Sequence, residues 1–284
     1  MTDTASTYRR RIGGATVTAL SDGVVDASLK IIAGASADEV RNDLVERGFP
    51  VEPRISVNAF ALQIDRHTTL IDTGAGGKFG ATLGRLQDSL ALAGIDPRDV
   101  ETVLLTHMHP DHSNGLTDAK GSPIFPNAEL VMHEDELAHW MDDARMAQAS
   151  PRQRRDDFEA ARREIAPYRD RLRLFRKGEV ISGVRALPLP GHTPGHTGYL
   201  IGSGPETLLI WGDVVHLPDV QLARPGVAVV LDTDKDAAIA TRRRVLDMAA
   251  AEGFLVAGMH LHFPGFGRVL RQADTFALDL KWRR

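Results

Sequence analysis

Several short apolar runs along the chain end abruptly in a histidine or an aspartate. Val103-Leu104-Leu105-Thr106 reads as a buried β-strand and runs straight into His107-Met108-His109-Pro110-Asp111-His112. The Pro and Asp of that segment stop the strand and turn it into a loop. A strand at residues 184–187 leads through a Gly/Pro-rich turn to His192 and His196. Leu208-Leu209-Ile210-Trp211-Gly212 ends in Asp213, and Phe254-Leu255-Val256-Ala257-Gly258-Met259 ends in His260. The order of an apolar strand, a glycine and then a ligand-type side chain recurs. It predicts that backbone and a bound ion approach closely where a Cβ would obstruct them.

The rest of the pattern supplies a scaffold. Strands are expected at residues 15–20, 57–64, 68–71 and 102–106. A helix is expected over 80–93, where Leu83, Leu86, Leu90 and Ala93 form one apolar stripe and Gly94 ends it. From about residue 173 a second half begins, with strands, the Gly191 turn, two more strands and a helix over 234–251. Thr233 or Asp234 can cap that helix and Gly253 terminates it. Two charged segments stand outside this frame. Residues 38–54 read as a helical insertion. Residues 135–173 read as helix, a break at Ser150-Pro151, then helix. The second insertion is either a solvated surface pair or a cap that carries Trp140 and Phe158 towards a substrate.

Composition narrows the picture further. The ligand-type residues run from His107 to His260, so any division of the 284 residues would cut them apart, and one domain over 1–284 is expected. A hydrophobic content of 43% is ample for one core. A net charge of −4 gives no electrostatic case for nucleic acid. No apolar stretch approaches a membrane span. Arg9, Arg10 and Arg11 are not followed by an apolar export segment, so a cytoplasmic protein is expected. With no cysteine there is no thiolate, and any metal site is built from nitrogen and oxygen.

Three imidazoles and a carboxylate within six residues suit zinc or a similar first-row ion. The segment His107, His109, Asp111, His112 is a complete His-x-His-x-Asp-His signature. With His192, Asp213, His260 and the upstream Asp72-Thr73-Gly74, it resembles the metallo-β-lactamase superfamily over about residues 15–270. Within it, Ala19-Leu20-Ser21-Asp22-Gly23, Trp211-Gly212-Asp213-Val214-Val215-His216, Val220-Gln221-Leu222-Ala223-Arg224-Pro225-Gly226 and His260-Leu261-His262-Phe263-Pro264-Gly265 resemble the methyl parathion hydrolase group, near the N-acyl homoserine lactone lactonases.

That resemblance implies an α/β (α+β) fold of αββα type, two β-sheets flanked by helices. It implies two divalent ions, zinc before manganese, cobalt or iron. His107, His109 and His192 would hold one, Asp111, His112 and His260 the other, and Asp213 would bridge them. Asp111, Asp213 and His216 would serve catalysis through a hydroxide shared by the two ions. Asp72 would accept a hydrogen bond from the ligand loop. Trp140, Phe158 and His262 are candidates for the substrate pocket, and His196 is expected to hold the Gly191–Gly195 turn. The implied activity is hydrolysis of a small lactone, ester or organophosphate triester by a homodimer. The rivals are a β-lactam or thioester hydrolase of the same fold, or a binding protein that has lost catalysis. A non-catalytic chain would show erosion of the ligand set, and here each position is filled.

Overall fold

The apolar runs become the strands of two seven-stranded sheets, each with its strands in chain order. The first holds β1 (Thr7–Ile12), β2 (Ala15–Asp26), β3 (Arg54–Ile64), β4 (His67–Ile71), β5 (Val100–Leu104), β6 (Glu129–His133) and β7 (Leu172–Phe175). The second holds β8 (Gly178–Ile181), β9 (Val184–Pro188), β10 (Thr197–Ile201), β11 (Leu208–Ile210), β12 (Leu255–Ala257), β13 (Phe266–Gln272) and β14 (Thr275–Asp279). This computed structural model describes residues 4–280; residues 1–3 and 281–284 of the expected span lie outside the described residues.

β1, β2, β3 and β4 pair antiparallel and β4 to β7 parallel; in the second sheet only β11 and β12 pair parallel. Helix Leu86–Ala93 lies between the parallel strands β4 and β5, and helix Lys235–Glu252 between the parallel strands β11 and β12. Asp234 caps the latter by accepting from the Ala237 N–H, and Gly253 ends it with a φ of 66°. The inner faces of the two sheets bury Val17, Phe60, Leu62, Ile71 and Leu104 against Tyr199, Ile210, Leu255 and Phe266. The outer face of each sheet packs on its own helices, through Leu70, Leu86, Leu90 and Val103 on one side and Leu209, Trp211, Val245 and Val256 on the other. The result is a four-layer αββα arrangement.

Helix 80–93 starts later than its apolar stripe predicts, at Leu86. Gly80 and Gly84 take φ values of 86° and 83°, and the Asp22 carboxylate accepts the Gly84 and Leu86 N–H groups. That buried acceptor gives the first turn's donors a better partner than a longer helix would. Leu83 still packs inward, beside Val57 and Ala75.

Both insertions fold against the sheets. Helix Ala37–Glu46, closed by a Ser36/Glu39 capping box, turns Val40 and Leu44 onto Leu217 and Val220. The second comprises helices Glu134–Met141, Asp143–Gln148 and Glu159–Ile165, with a capping box at Ser150 and a π-turn at Arg154–Phe158. Trp140, Phe158, Ala161, Ile165 and Tyr168 enter the outer core, so this segment is not a solvated helix pair. No helix among the described residues is long and apolar enough to cross a membrane.

Candidate metal centre

The ends of β5, β9, β11 and β12 converge on one side of the sandwich, and each delivers part of a single cluster. After β5 the chain passes through His107 and His109 into a short helical turn, Pro110–Ser113, that carries Asp111 and His112. His192 arrives from the turn after β9, Asp213 from the turn after β11, and His260 from the turn after β12.

The structure brings the two sequence-defined triads together. Ligand atoms of His107, His109 and His192 lie within 4.8 Å of one another, as do those of Asp111, His112 and His260. His109 Nδ1 is 3.1 Å from His107 Nε2 and 2.8 Å from His192 Nε2. Asp213 stands between the groups. Its Oδ2 is 3.3 Å from His192 Nε2 and 3.1 Å from His260 Nε2, and its Oδ1 is 3.3 Å from His112 Nε2. Asp111 is 23% exposed and is the most open member of the cluster, its Oδ2 lying 3.5 Å from His260 Nε2.

The far nitrogen of four imidazoles is engaged. His112 Nδ1 meets Asp72 Oδ2 at 2.8 Å, and His192 Nδ1 meets Asp232 Oδ1 at 2.9 Å. His260 Nδ1 meets the Ser56 carbonyl at 2.9 Å, and His107 Nδ1 lies 3.0 Å from Thr106 Oγ1. Such partners fix ring orientation and leave the opposite nitrogen free to ligate. Asp72 also accepts from the Thr106 N–H and hydroxyl, each at 2.7 Å. It adopts a φ of 59°, a left-handed conformation that Asp tolerates better than most side chains.

Electrostatically the cluster demands positive charge. Burial, then the neighbouring imidazoles, holds His107 and His109 well below the usual histidine range. Burial works in the same direction on His192, but Asp213 and Asp232 outweigh it and push this imidazole up to about 9. His112 is raised well above the usual range, with Asp213, Asp111 and Asp72 overcoming burial. Burial also opposes ionisation of Asp213, yet His112, His260, His216 and His107 hold it far below the carboxylate range. His112 Nε2 and Asp213 Oδ1 are buried with no hydrogen-bond partner. Buried polar atoms left without a partner 3.3 Å apart are costly unless something among them, a proton or a metal cation, satisfies both. Two ligands about 2.1 Å from a tetrahedral ion stand about 3.4 Å apart, which is the spacing of this donor set. The residues fit divalent metal.

His196 lies beside the cluster without joining either triad. Its Nδ1 donates to the Leu189 carbonyl at 2.8 Å and its Nε2 accepts the Asp213 N–H at 2.9 Å. Burial pushes it down to about 3, so it remains a neutral strut between two ligand turns. Gly212, with a φ of 59°, makes room for that strut, since a Cβ there would come within 2.4 Å of His196 Nε2. The glycine before this ligand thus serves close packing of protein on protein. His216 is buried at the edge of the cluster, its Nε2 3.0 Å from Asp213 Oδ2 and its ring stacked on His260.

The pocket candidates fall in different places. Trp140 and Phe158 are both buried, with ring centroids 5.0 Å apart, and the Trp140 ring meets His109 edge-on at 5.5 Å. They back His109 from the core. His262 is not brought into the cluster. The chain turns after His260, with the Gly265 N–H bonded to the His262 carbonyl, and the His262 side chain pairs with Asp219 at 3.1 Å. Only an extended strand would put it on the same side as His260, and this segment forms none.

Sequence reading missed Asp232 and Glu136. Asp232 directly precedes the two cap candidates, Thr233 and Asp234, and no local pattern sets it apart. Glu136 sits among the acidic residues of an insertion, with nothing local to separate it from Glu134 and Asp135.

Residues 53–271 match the family pattern described as the metallo-beta-lactamase superfamily. Among curated relatives, the uncharacterized protein YobT of Bacillus subtilis (strain 168) is 28% identical over 173 residues, 61% of this chain and 65% of that protein. The N-acyl homoserine lactonase AiiB of Agrobacterium fabrum (strain C58) is 30% identical over 102 residues, 30% of this chain and 35% of that protein. This chain therefore spans between about a third and two thirds of the length of these relatives. Among solved structures, the hydrolase AbOPH of the beta lactamase superfamily superposes with a TM-score of 0.90 at 32% identity, covering 96% of this chain and 97% of that one. The dizinc quorum-quenching lactonase AidC, solved with a product, shares the fold at a TM-score of 0.90 and 24% identity, covering 98% of each chain. Ligand geometry, layer order and these matches agree, and the chain belongs to the metallo-beta-lactamase superfamily.

Proposed function

We propose that this chain is a dinuclear metal-dependent hydrolase that opens lactones and related esters, with organophosphate triesters as alternative substrates. The observation that carries the reading is the pair of donor triads on either side of Asp213. His107, His109 and His192 would hold one ion and Asp111, His112 and His260 the other, with Asp213 shared between them. Two such ions, zinc most readily, supply Lewis acidity that polarises a carbonyl or phosphoryl oxygen and makes water a competent nucleophile at neutral pH.

The chain's own residues do the rest. Asp72, Asp232 and the Ser56 carbonyl hold three imidazoles in one ring orientation, so the donor set is formed before substrate arrives. The open side of Asp111 gives the substrate its approach. His216, neutral and without another partner, is placed to donate a hydrogen bond to a substrate oxygen that arrives beside Asp213. Trp140 and Phe158 exclude water from the rear of His109.

A lactone is preferred as substrate because AiiB, a lactonase, shares 30% identity with this chain over 102 residues. The test is turnover by zinc-loaded protein of an N-acyl homoserine lactone, methyl parathion, a simple aryl ester and a penicillin. Lactone turnover above the other three supports the reading. Preference for the phosphotriester moves the enzyme to organophosphate hydrolysis, and preference for the penicillin contradicts it.

A further inference from the structure

The second insertion carries one side chain that reaches the metal centre from behind. Glu136, in the first turn of helix Glu134–Met141, is 1% exposed. Its Oε1 accepts the Met108 N–H at 2.8 Å and the Trp140 indole N–H at 2.6 Å. Its Oε2 accepts the Thr193 hydroxyl at 2.6 Å and the Gly195 N–H at 3.2 Å. Four donors fill the capacity of one carboxylate.

The identity of those donors matters more than their number. Met108 lies between His107 and His109, and Thr193 follows His192, so Glu136 spans the two segments that carry one donor triad. Trp140, bound to the same carboxylate, packs on His109. Approach at this point is very close, since a Cβ on Gly195 would lie 2.2 Å from the Glu136 nitrogen. The triad that Glu136 spans is built of histidines alone, whereas the other contains Asp111. One buried carboxylate behind the all-histidine triad thus ties together the segments that carry its donors, and such a partner fixes their orientation.

We infer that Glu136 is a positioning residue for the His107–His109–His192 site, and that the 135–173 insertion is through it a structural part of that site. This rests on the two-metal reading above. The four bonds set the spacing of two ligand segments that the fold otherwise brings together from different sheets. Trp140, bonded to the same carboxylate, ties helix Glu134–Met141 to them.

The test is stepwise zinc affinity, measured by competition with a chromophoric chelator, for the wild-type chain and for Glu136→Gln. Two reference variants assign the sites: Asp232→Asn loosens His192 of this triad, and Asp111→Asn removes the carboxylate of the other. The expected result is a loss of about 10–100-fold at one zinc site, the same one that Asp232→Asn weakens, with the other site unchanged. A general structural role would weaken both sites together, and that outcome overturns the inference. Trp140→Phe and Thr193→Val each remove one donor without changing charge, and they keep the question open to test if Glu136→Gln does not fold. Each should show a smaller loss confined to the same site, and unchanged affinity in both overturns the inference. Failure of the wild-type chain to bind zinc at all overturns the two-metal reading itself, and the inference with it.

Discussion

His216 Nε2 stands 3.0 Å from Asp213 Oδ2, and neither nitrogen of this buried imidazole has a hydrogen-bond partner of good geometry among the described residues. Leaving such a group unsatisfied costs about 1–3 kcal/mol, a cost that a substrate hydrogen bond would offset. Its backbone is held firmly, since the Gln221 side-chain oxygen accepts the His216 and Leu217 N–H groups at 2.7 and 3.1 Å. His216→Phe should therefore retain both metals while kcat falls about 100-fold, in line with loss of one transition-state donor. Metal analysis together with steady-state kinetics checks this. Unchanged kcat would make His216 a packing residue.

The candidate ligand cluster and its partner Asp72 are legible in the sequence because the candidates follow apolar strands and the central motif is local, from His107 to His112. The supporting residues are not legible, because their partners are remote. Glu136 reaches Thr193 across 57 residues, and Asp232 reaches His192 across 40. No local periodicity marks either one. The start of helix Leu86–Ala93 is hidden for the same reason, since its first donors are taken by Asp22, 62 and 64 residues away. The insertion over 135–173 has a high charge content that reads as solvated. Its few large apolar side chains, Trp140, Phe158 and Tyr168, decide where it packs.

Gly115 tests how tightly the His107–His112 loop is held. A Cβ there would lie 1.8 Å from the Thr73 carbonyl oxygen, a backbone atom that cannot swing aside. Thr73 in turn donates its N–H and hydroxyl to the His112 carbonyl, at 2.7 and 2.9 Å. Gly115→Ala should cost about 1–3 kcal/mol of stability, as overpacking does. It should also weaken metal binding by displacing His112. Urea unfolding of the metal-free chain separates the first effect from the second. Wild-type stability in the variant would mean that the two backbones are not in contact.

Asp22 gives a pH signature away from the cluster. Its carboxyl is fully buried and accepts three backbone N–H groups, from Ala75, Gly84 and Leu86. Burial nonetheless pushes it up to about 6, from an ordinary value of 3.8. The folded state thus holds this proton more tightly than the unfolded chain. The stability it contributes is fully present below pH 3.8 and is lost as pH rises through about 6. The stability difference between wild type and Asp22→Asn should widen in favour of the wild type from pH 7 to pH 4, by at most about 3 kcal/mol. Paired urea titrations at several pH values measure this, and a constant difference contradicts it.

The most direct test of the two-metal account is the zinc content and lactone turnover of Asp213→Asn beside the wild type. Among the described residues, the Asp213 carboxylate is the one that lies against both triads, its Oδ2 near His192 and His260 and its Oδ1 near His112. The account predicts two zinc ions per wild-type chain and turnover that chelator abolishes and zinc restores. In the variant it predicts loss of at least one ion and a fall in turnover of about 1000-fold or more, set against the several kcal/mol that bound metal supplies. Full activity in Asp213→Asn, or wild-type turnover indifferent to chelator, would contradict the account.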